Sequence, residues 1–200
     1  NKARAQQVEK LYARCKDIGN KSVAYKYLTL SRGIDASIGM GEDIKTAGIY
    51  VSNEVAGESN DSKGGKYLPA IVAFARDSQG RVTGGQQILL NRSSGAKADI
   101  AIPKKSFGRI AGSFVDVGHV NSGGKTSLRD IGDWGASKQP NDFRLDIQEK
   151  EEITIIAEGL ETALSVKQGL REHNGKKDAI KTLCSLGIGN IRNYPAAPEE

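Results

Sequence analysis

The stretch that most constrains this chain runs from Ile153 to Leu186. Ile153-Thr-Ile-Ile-Ala157 is a short apolar, β-branched run of the buried-strand type. A helical pattern follows at once through about Leu170, and a second β-type run occupies residues 180–186. Strand, helix and strand in that order predict a parallel β-α-β unit with a right-handed crossover. Glu158 and Gly159 fall where the first strand runs out, and in open α/β sheets ligands gather outside the carboxyl ends of the strands. Glycine there lets a phosphate or another backbone come close. Glu158 is therefore the candidate general acid or base for a phosphoryl or nucleotidyl group, and a candidate magnesium ligand. Glu161 lies in the first helical turn, where a carboxylate suits the helix dipole, and reads as structural.

Upstream, Ala5, Val8, Leu11, Tyr12 and Cys15 recur at helical spacing, predicting a helix over 3–18. A second helix is expected over about 21–31, with Gly33 as a left-handed stop. Residues 49–55 read as a strand and 56–66 as a polar loop. Leu68 to Arg76 and Arg81 to Leu90 are β-rich runs joined by Asp77-Ser-Gln-Gly80, a hairpin signal. Ser113 to Gly118 reads as a further strand of an antiparallel sheet spanning 49–118, residues 121–142 as loop, and 143–147 as an edge strand. The expected class is α+β: helices and antiparallel sheet over 1–150, then a β-α-β region over 151–200.

Charge is unevenly placed. Residues 1–32 hold eight Lys and Arg against two acids, and residues 91–110 hold five against one, on a chain whose net charge is +5. Basic segments on an acidic remainder suit a polyanion partner. Arg92, Lys97, Lys104, Lys105 and Arg109 are accordingly the candidate nucleic-acid-binding residues. Cys15 and Cys184 stand far apart and outside any paired spacing, so neither a disulfide framework nor a zinc ribbon is encoded. His119 and His173 have no ligand-spaced neighbours. Ser122-Gly-Gly-Lys125-Thr126 invites a phosphate-loop reading, but the required first glycine falls on His119. No apolar run is long enough for a membrane helix and the opening residues lack a signal-peptide core, so a cytoplasmic setting is expected.

Ala157-Glu-Gly-Leu-Glu-Thr-Ala-Leu-Ser165 resembles the opening glutamate motif of Toprim domains in primases of plasmids and phages. Tyr27-Leu28 with Ser31-Arg32-Gly33-Ile34 resembles the Tyr-Leu-x-x-Arg-Gly element that precedes such domains. Gln87 to Leu90, Gly95 to Lys97 and Gly108 to Gly112 resemble their upstream region. The resemblance implies a DNA primase-like nucleotidyltransferase acting on single-stranded DNA and nucleotides, with Glu158 as acid or base and as one ligand of a magnesium site. Related regions occur in conjugative elements, where helicase or relaxase domains of the same protein are possible partners. The family's Asp-x-Asp metal pair is absent from this sequence, which makes the Toprim unit partial. The chain is therefore expected to be a piece of a longer protein, with a natural chain whose Toprim half has decayed as the other reading, and to be inactive alone and itself need no cofactor. A non-catalytic DNA- or protein-binding module of a relaxase or replication protein is the alternative. A topoisomerase relative is disfavoured, because no motif marks a nucleophilic tyrosine.

Overall fold

The computed structural model describes residues 2–52, 65–119, 153–173 and 180–194. Helix α1, Lys2–Arg14, buries Val8 and leads into a two-residue strand β1, Lys16–Asp17. Helix α2, Val23–Lys26, is capped by Ser22, whose side chain accepts a hydrogen bond from the Tyr25 amide. It continues as a π turn over Tyr27–Ser31. Gly33 at φ 65° ends this segment, with the Ile34 amide donating back to the Leu28 carbonyl at 2.9 Å. That bond reaches one residue further than a Schellman closure, in keeping with the wider π turn, and glycine takes the left-handed residue without strain. A 3-10 turn at Ala36–Ile38 follows, with Asp35 as its cap.

Strands β2 (Ile44–Ser52), β3 (Gly65–Arg76), β4 (Val82–Leu89) and β5 (Lys104–Gly108) complete an antiparallel sheet in the order β1-β2-β3-β4-β5. The hairpin between β3 and β4 turns at Gly80, φ 73°, as the sequence predicts. Strand β3 is central and covered on both sides. Ala70, Val72 and Phe74 face α1 with Val8, while Ile71, Ala73 and Ala75 face a second layer. Period-two alternation with both faces apolar is what a doubly covered strand requires.

The second layer is a three-stranded sheet ordered β6-β8-β7, with helix α3, Leu160–His173, packed on it. Strands β7 (Ile153–Ala157) and β8 (Ile180–Cys184) pair in parallel, so the β-α-β unit forms as expected. Strand β6 (Val115–His119) pairs antiparallel with β8. A short helix α4, Ile188–Ile191, closes the described chain. The fold is α+β.

Several boundaries differ from the sequence reading. The first helix ends at Arg14, because the chain straightens to pair Lys16 with Thr46. The strand expected from residue 49 begins at Ile44, and Gly65 and Lys66, expected in a loop, open β3. β5 was not expected. The strand near 113–118 joins the second sheet and meets the first through the Arg76–Phe114 bridge and the Thr83 hydroxyl, which donates to the Ser113 hydroxyl at 2.7 Å. The division at residue 150 is therefore crossed by β6, and one buried cluster runs from Ala24 through Ile71 and Val115 to Leu164 and Cys184. The left-handed residue of the turn after β8 is Leu186, φ 61°, although a glycine stands next to it. Residues 53–64, the loop and edge strand read at 121–147, and Lys125 of the discarded phosphate loop lie outside the described residues.

Candidate functional site

The carboxyl end of β7 meets the loop ahead of α3, and Glu158 stands there with its side chain exposed. Its backbone is held by β8: the Cys184 thiol donates to the Glu158 carbonyl at 3.5 Å, and the Ser185 amide donates to the Ala157 carbonyl at 2.9 Å. Among the described residues no hydrogen bond or ion pair engages the Glu158 carboxylate. It is a carboxylate on a fixed mount, directed to solvent at the end of a parallel strand.

One helical turn on, Glu161 gathers four partners from distant parts of the chain. The Tyr27 hydroxyl donates to Oε1 at 2.8 Å, and Lys97 Nζ lies 3.0 Å from the same oxygen. Lys104 Nζ approaches Oε2 at 3.4 Å, and Arg32 Nη2 approaches Oε1 at 3.4 Å. Arg32 Nε also donates to the Tyr27 hydroxyl at 2.8 Å, so the tyrosine relays between cation and carboxylate. Burial opposes charge on Glu161, but the hydrogen bonds from Lys97 and Tyr27 and the charges of Lys104 and Lys97 outweigh it. They hold its carboxyl down at about 2. Burial, with Glu161 assisting against Arg32, pushes the Tyr27 hydroxyl up to about 12.

The local backbone explains how these groups meet. Three residues separate Leu28 from Arg32, one more than in the Tyr-Leu-x-x-Arg-Gly element, and the π turn accommodates the wider spacing. In an α-helix, positions five apart lie about 140° round the axis; the wider turn brings them nearer, and Arg32 reaches the Tyr27 hydroxyl. Lys97 is set by the compact turn 91–96, in which the Asn91 side chain accepts from the Ser93 and Ser94 amides. Lys104 lies on β5 opposite Ile88, on the face turned toward α3.

The five basic residues singled out in the sequence do not share a face. Lys97 and Lys104 are committed to Glu161. Lys105 alternates to the α1 side of the sheet with Phe107, and exposed Arg109 lies 3.7 Å from Asp77. Arg92 is exposed beside the start of α2. Sequence reading assigned Glu161 only a dipole role and gave Tyr27 and Arg32 none. The signal available for the latter pair was their place in a motif.

A family model described as a domain of unknown function (DUF7146) matches residues 2–117, more than half of the chain. The chain belongs to the DUF7146 family. No curated protein and no solved structure matches it. The DUF7146 match runs from α1 into β6, so it includes Tyr27, Arg32, Lys97 and Lys104 but stops before β7 and α3. The Glu161 cluster is thus one point at which the DUF7146 domain grips the β-α-β unit. Among the described residues, no group of three His, Cys, Asp or Glu side chains could hold a metal ion. Glu161 is occupied by cations, and Glu158 stands as a single carboxylate. These residues do not by themselves fit a magnesium ion. No helix among the described residues is long and apolar enough to cross a membrane.

Proposed function

We propose that this chain is part of a Toprim primase-like protein that acts on single-stranded DNA in the cytoplasm during plasmid or phage replication or conjugative transfer. Its nucleotides, and helicase or relaxase domains of the same protein, are the partners this reading implies. The observation that carries it is the exposed Glu158 at the carboxyl end of β7, in a parallel β-α-β unit, beside a cluster of three cations. In this reading the Glu158 carboxylate takes the proton from an attacking hydroxyl as a phosphoanhydride bond is exchanged for a phosphodiester, and Arg32, Lys97 and Lys104 set a positive field for the phosphates. In the complete protein magnesium would supply further charge neutralisation at the phosphates, with Glu158 as one of its ligands.

The test is Glu158→Gln in the complete protein. Primer synthesis on single-stranded template should fall by two orders of magnitude or more, with unfolding unchanged because the side chain is exposed. Synthesis at the wild-type rate refutes the assignment. The commitment of Glu161 to Tyr27 and three cations favours a second reading, a non-catalytic DNA- or protein-binding module of a relaxase or replication protein. In that case the complete protein binds DNA with a steep salt dependence and synthesises nothing, with or without Glu158.

A further inference from the structure

The turn 91–97 is docked along α2. Lys26 Nζ donates to the Ser93 carbonyl at 2.9 Å, and the Ser31 hydroxyl donates to the Gly95 carbonyl at 3.2 Å. The Lys26 alkyl chain lies so close over Gly95 that a Cβ there would come within 2.8 Å of it. One end of this seam is the Glu161 cluster, with Arg32, Lys97 and Lys104. The other end opens into a cleft of about 430 Å³ lined by Lys21, Lys26 and Arg92, together with Tyr25 and Leu30.

The two ends differ in how their charge is balanced. At the first, Glu161 offsets part of the positive charge. No carboxylate lines the cleft, and neither Lys21 nor Arg92 forms an ion pair among the described residues. Leaving three cations together without a counter-charge costs self-repulsion that a bound polyanion relieves. Half-buried Tyr25 lines the same place and offers an aromatic ring to an unstacked base, with Leu30, 74% exposed, as an apolar neighbour. The nine residues Val23–Ser31 span about 13 Å at the helical rise, the reach of a few nucleotides.

We propose that the cleft of Lys21, Lys26 and Arg92 admits the phosphodiester backbone of single-stranded nucleic acid, and that the α2 seam leads the strand toward Glu158. The inference rests on the nucleic-acid reading above and adds to it the contact residues and the path. It also moves the contact away from Lys105 and Arg109, which the linear sequence suggested.

Anisotropy titration of a fluorescent oligodeoxynucleotide with the full chain, between 50 and 200 mM salt, tests it. Replacing Lys21, Lys26 and Arg92 together by Gln should weaken binding at least tenfold at the lower salt. The slope of log affinity against log salt should fall by about 2, as expected for three lost phosphate contacts on a single strand. Lys105→Gln with Arg109→Gln should change neither, and thermal melting of both variants checks folding. Wild-type affinity in the triple variant overturns the proposal, as does loss of binding only in the Lys105/Arg109 pair. Two controls address other phosphate sources. If a nucleoside triphosphate or a phosphatidylserine vesicle engages the cleft and the oligonucleotide does not, the path is wrong. Glu158→Gln should retain oligonucleotide affinity, so its effect on synthesis judges the chemistry separately from the path.

Discussion

The hydroxyl of Tyr27 donates to Oε1 of Glu161 at 2.8 Å, joining residues 134 positions apart. Through this bond a residue of the DUF7146 domain and a residue of the β-α-β unit settle each other's geometry, and Arg32 completes the relay. Tyr27 is 1% exposed, so its hydroxyl has no water to fall back on. Tyr27→Phe should cost about 1.5–3 kcal/mol, the range for a hydrogen bond to a charged group. In a double-mutant cycle with Glu161→Gln the two changes should couple by about 1 kcal/mol or more. Additive effects in urea unfolding would show that the contact carries no energy.

The low position of the Glu161 carboxyl has a pH signature. Its folded value of about 2 lies below the ordinary 4.5, so the cluster stabilises the protein fully above the ordinary value. That contribution is lost as pH falls from about 4.5 toward 2, because the unfolded chain then binds the proton that the folded one refuses. The loss should reach roughly 3 kcal/mol at most. Urea midpoints measured across this window should fall for the wild type and fall less steeply for Glu161→Gln.

A second pH effect is expected at the alkaline end, from Lys167. This lysine on α3 is fully buried and donates to the Gly39 carbonyl at 2.7 Å and the Val117 carbonyl at 2.8 Å. Burial drives its ammonium down to about 8, the Asp116 charge resisting and Arg171 adding to the fall. A base depressed in the folded state penalises folding while it is protonated, so stability should rise as pH climbs from about 8 toward 10.5. Lys167→Met should flatten that rise in denaturation curves taken from pH 7.5 to 10.5, and an equal slope in both proteins would remove Lys167 as its source.

Arg76 and Asp43 form a further charged contact. Arg76 Nε and Nη2 reach the two oxygens of Asp43 at 2.8 and 2.7 Å, while Nη1 donates to the Gly80 carbonyl and Nη2 to the Tyr12 hydroxyl. Asp43 is 1% exposed, so removing the guanidinium strands a buried charge. Arg76→Ala should destabilise by about 3–5 kcal/mol in chemical denaturation. Arg81→Ala removes an exposed guanidinium from the buried Asp77 carboxylate but leaves it the Gln79 and Arg81 amides and nearby Arg109, so it should cost less than Arg76→Ala.

What could be read from the sequence was what is local. The hairpin at Asp77–Gly80 and the β-α-β order after Ile153 carry their own period and punctuation, and both appear where expected. β5 was hidden because Lys-Lys-Ser-Phe-Gly offers a single apolar side chain, Phe107, to the α1 face. Lys104 and Lys105 look like one basic patch in the sequence, yet adjacent strand residues point to opposite sides of a sheet. Glu161 could not be recognised as a hub, since its partners at 27, 32, 97 and 104 converge only in three dimensions. The path of β6 was illegible for the same reason, as its partner strand lies far downstream.

That last pairing also bears on how the chain is made. β6 ends at His119 and β8 begins at Ile180, so during synthesis β6 leaves the ribosome some sixty residues before the strand that will cover its edge. The antiparallel hairpins can close early, because their contacts are near in sequence. Val115 and Val117, fully buried at the end, must wait for long-range closure, which is slow and leaves an apolar strand open in the meantime. The interval between residues 119 and 180 is therefore when the nascent protein is most vulnerable to misassembly, and a truncation within it would leave β6 without the strand it pairs with.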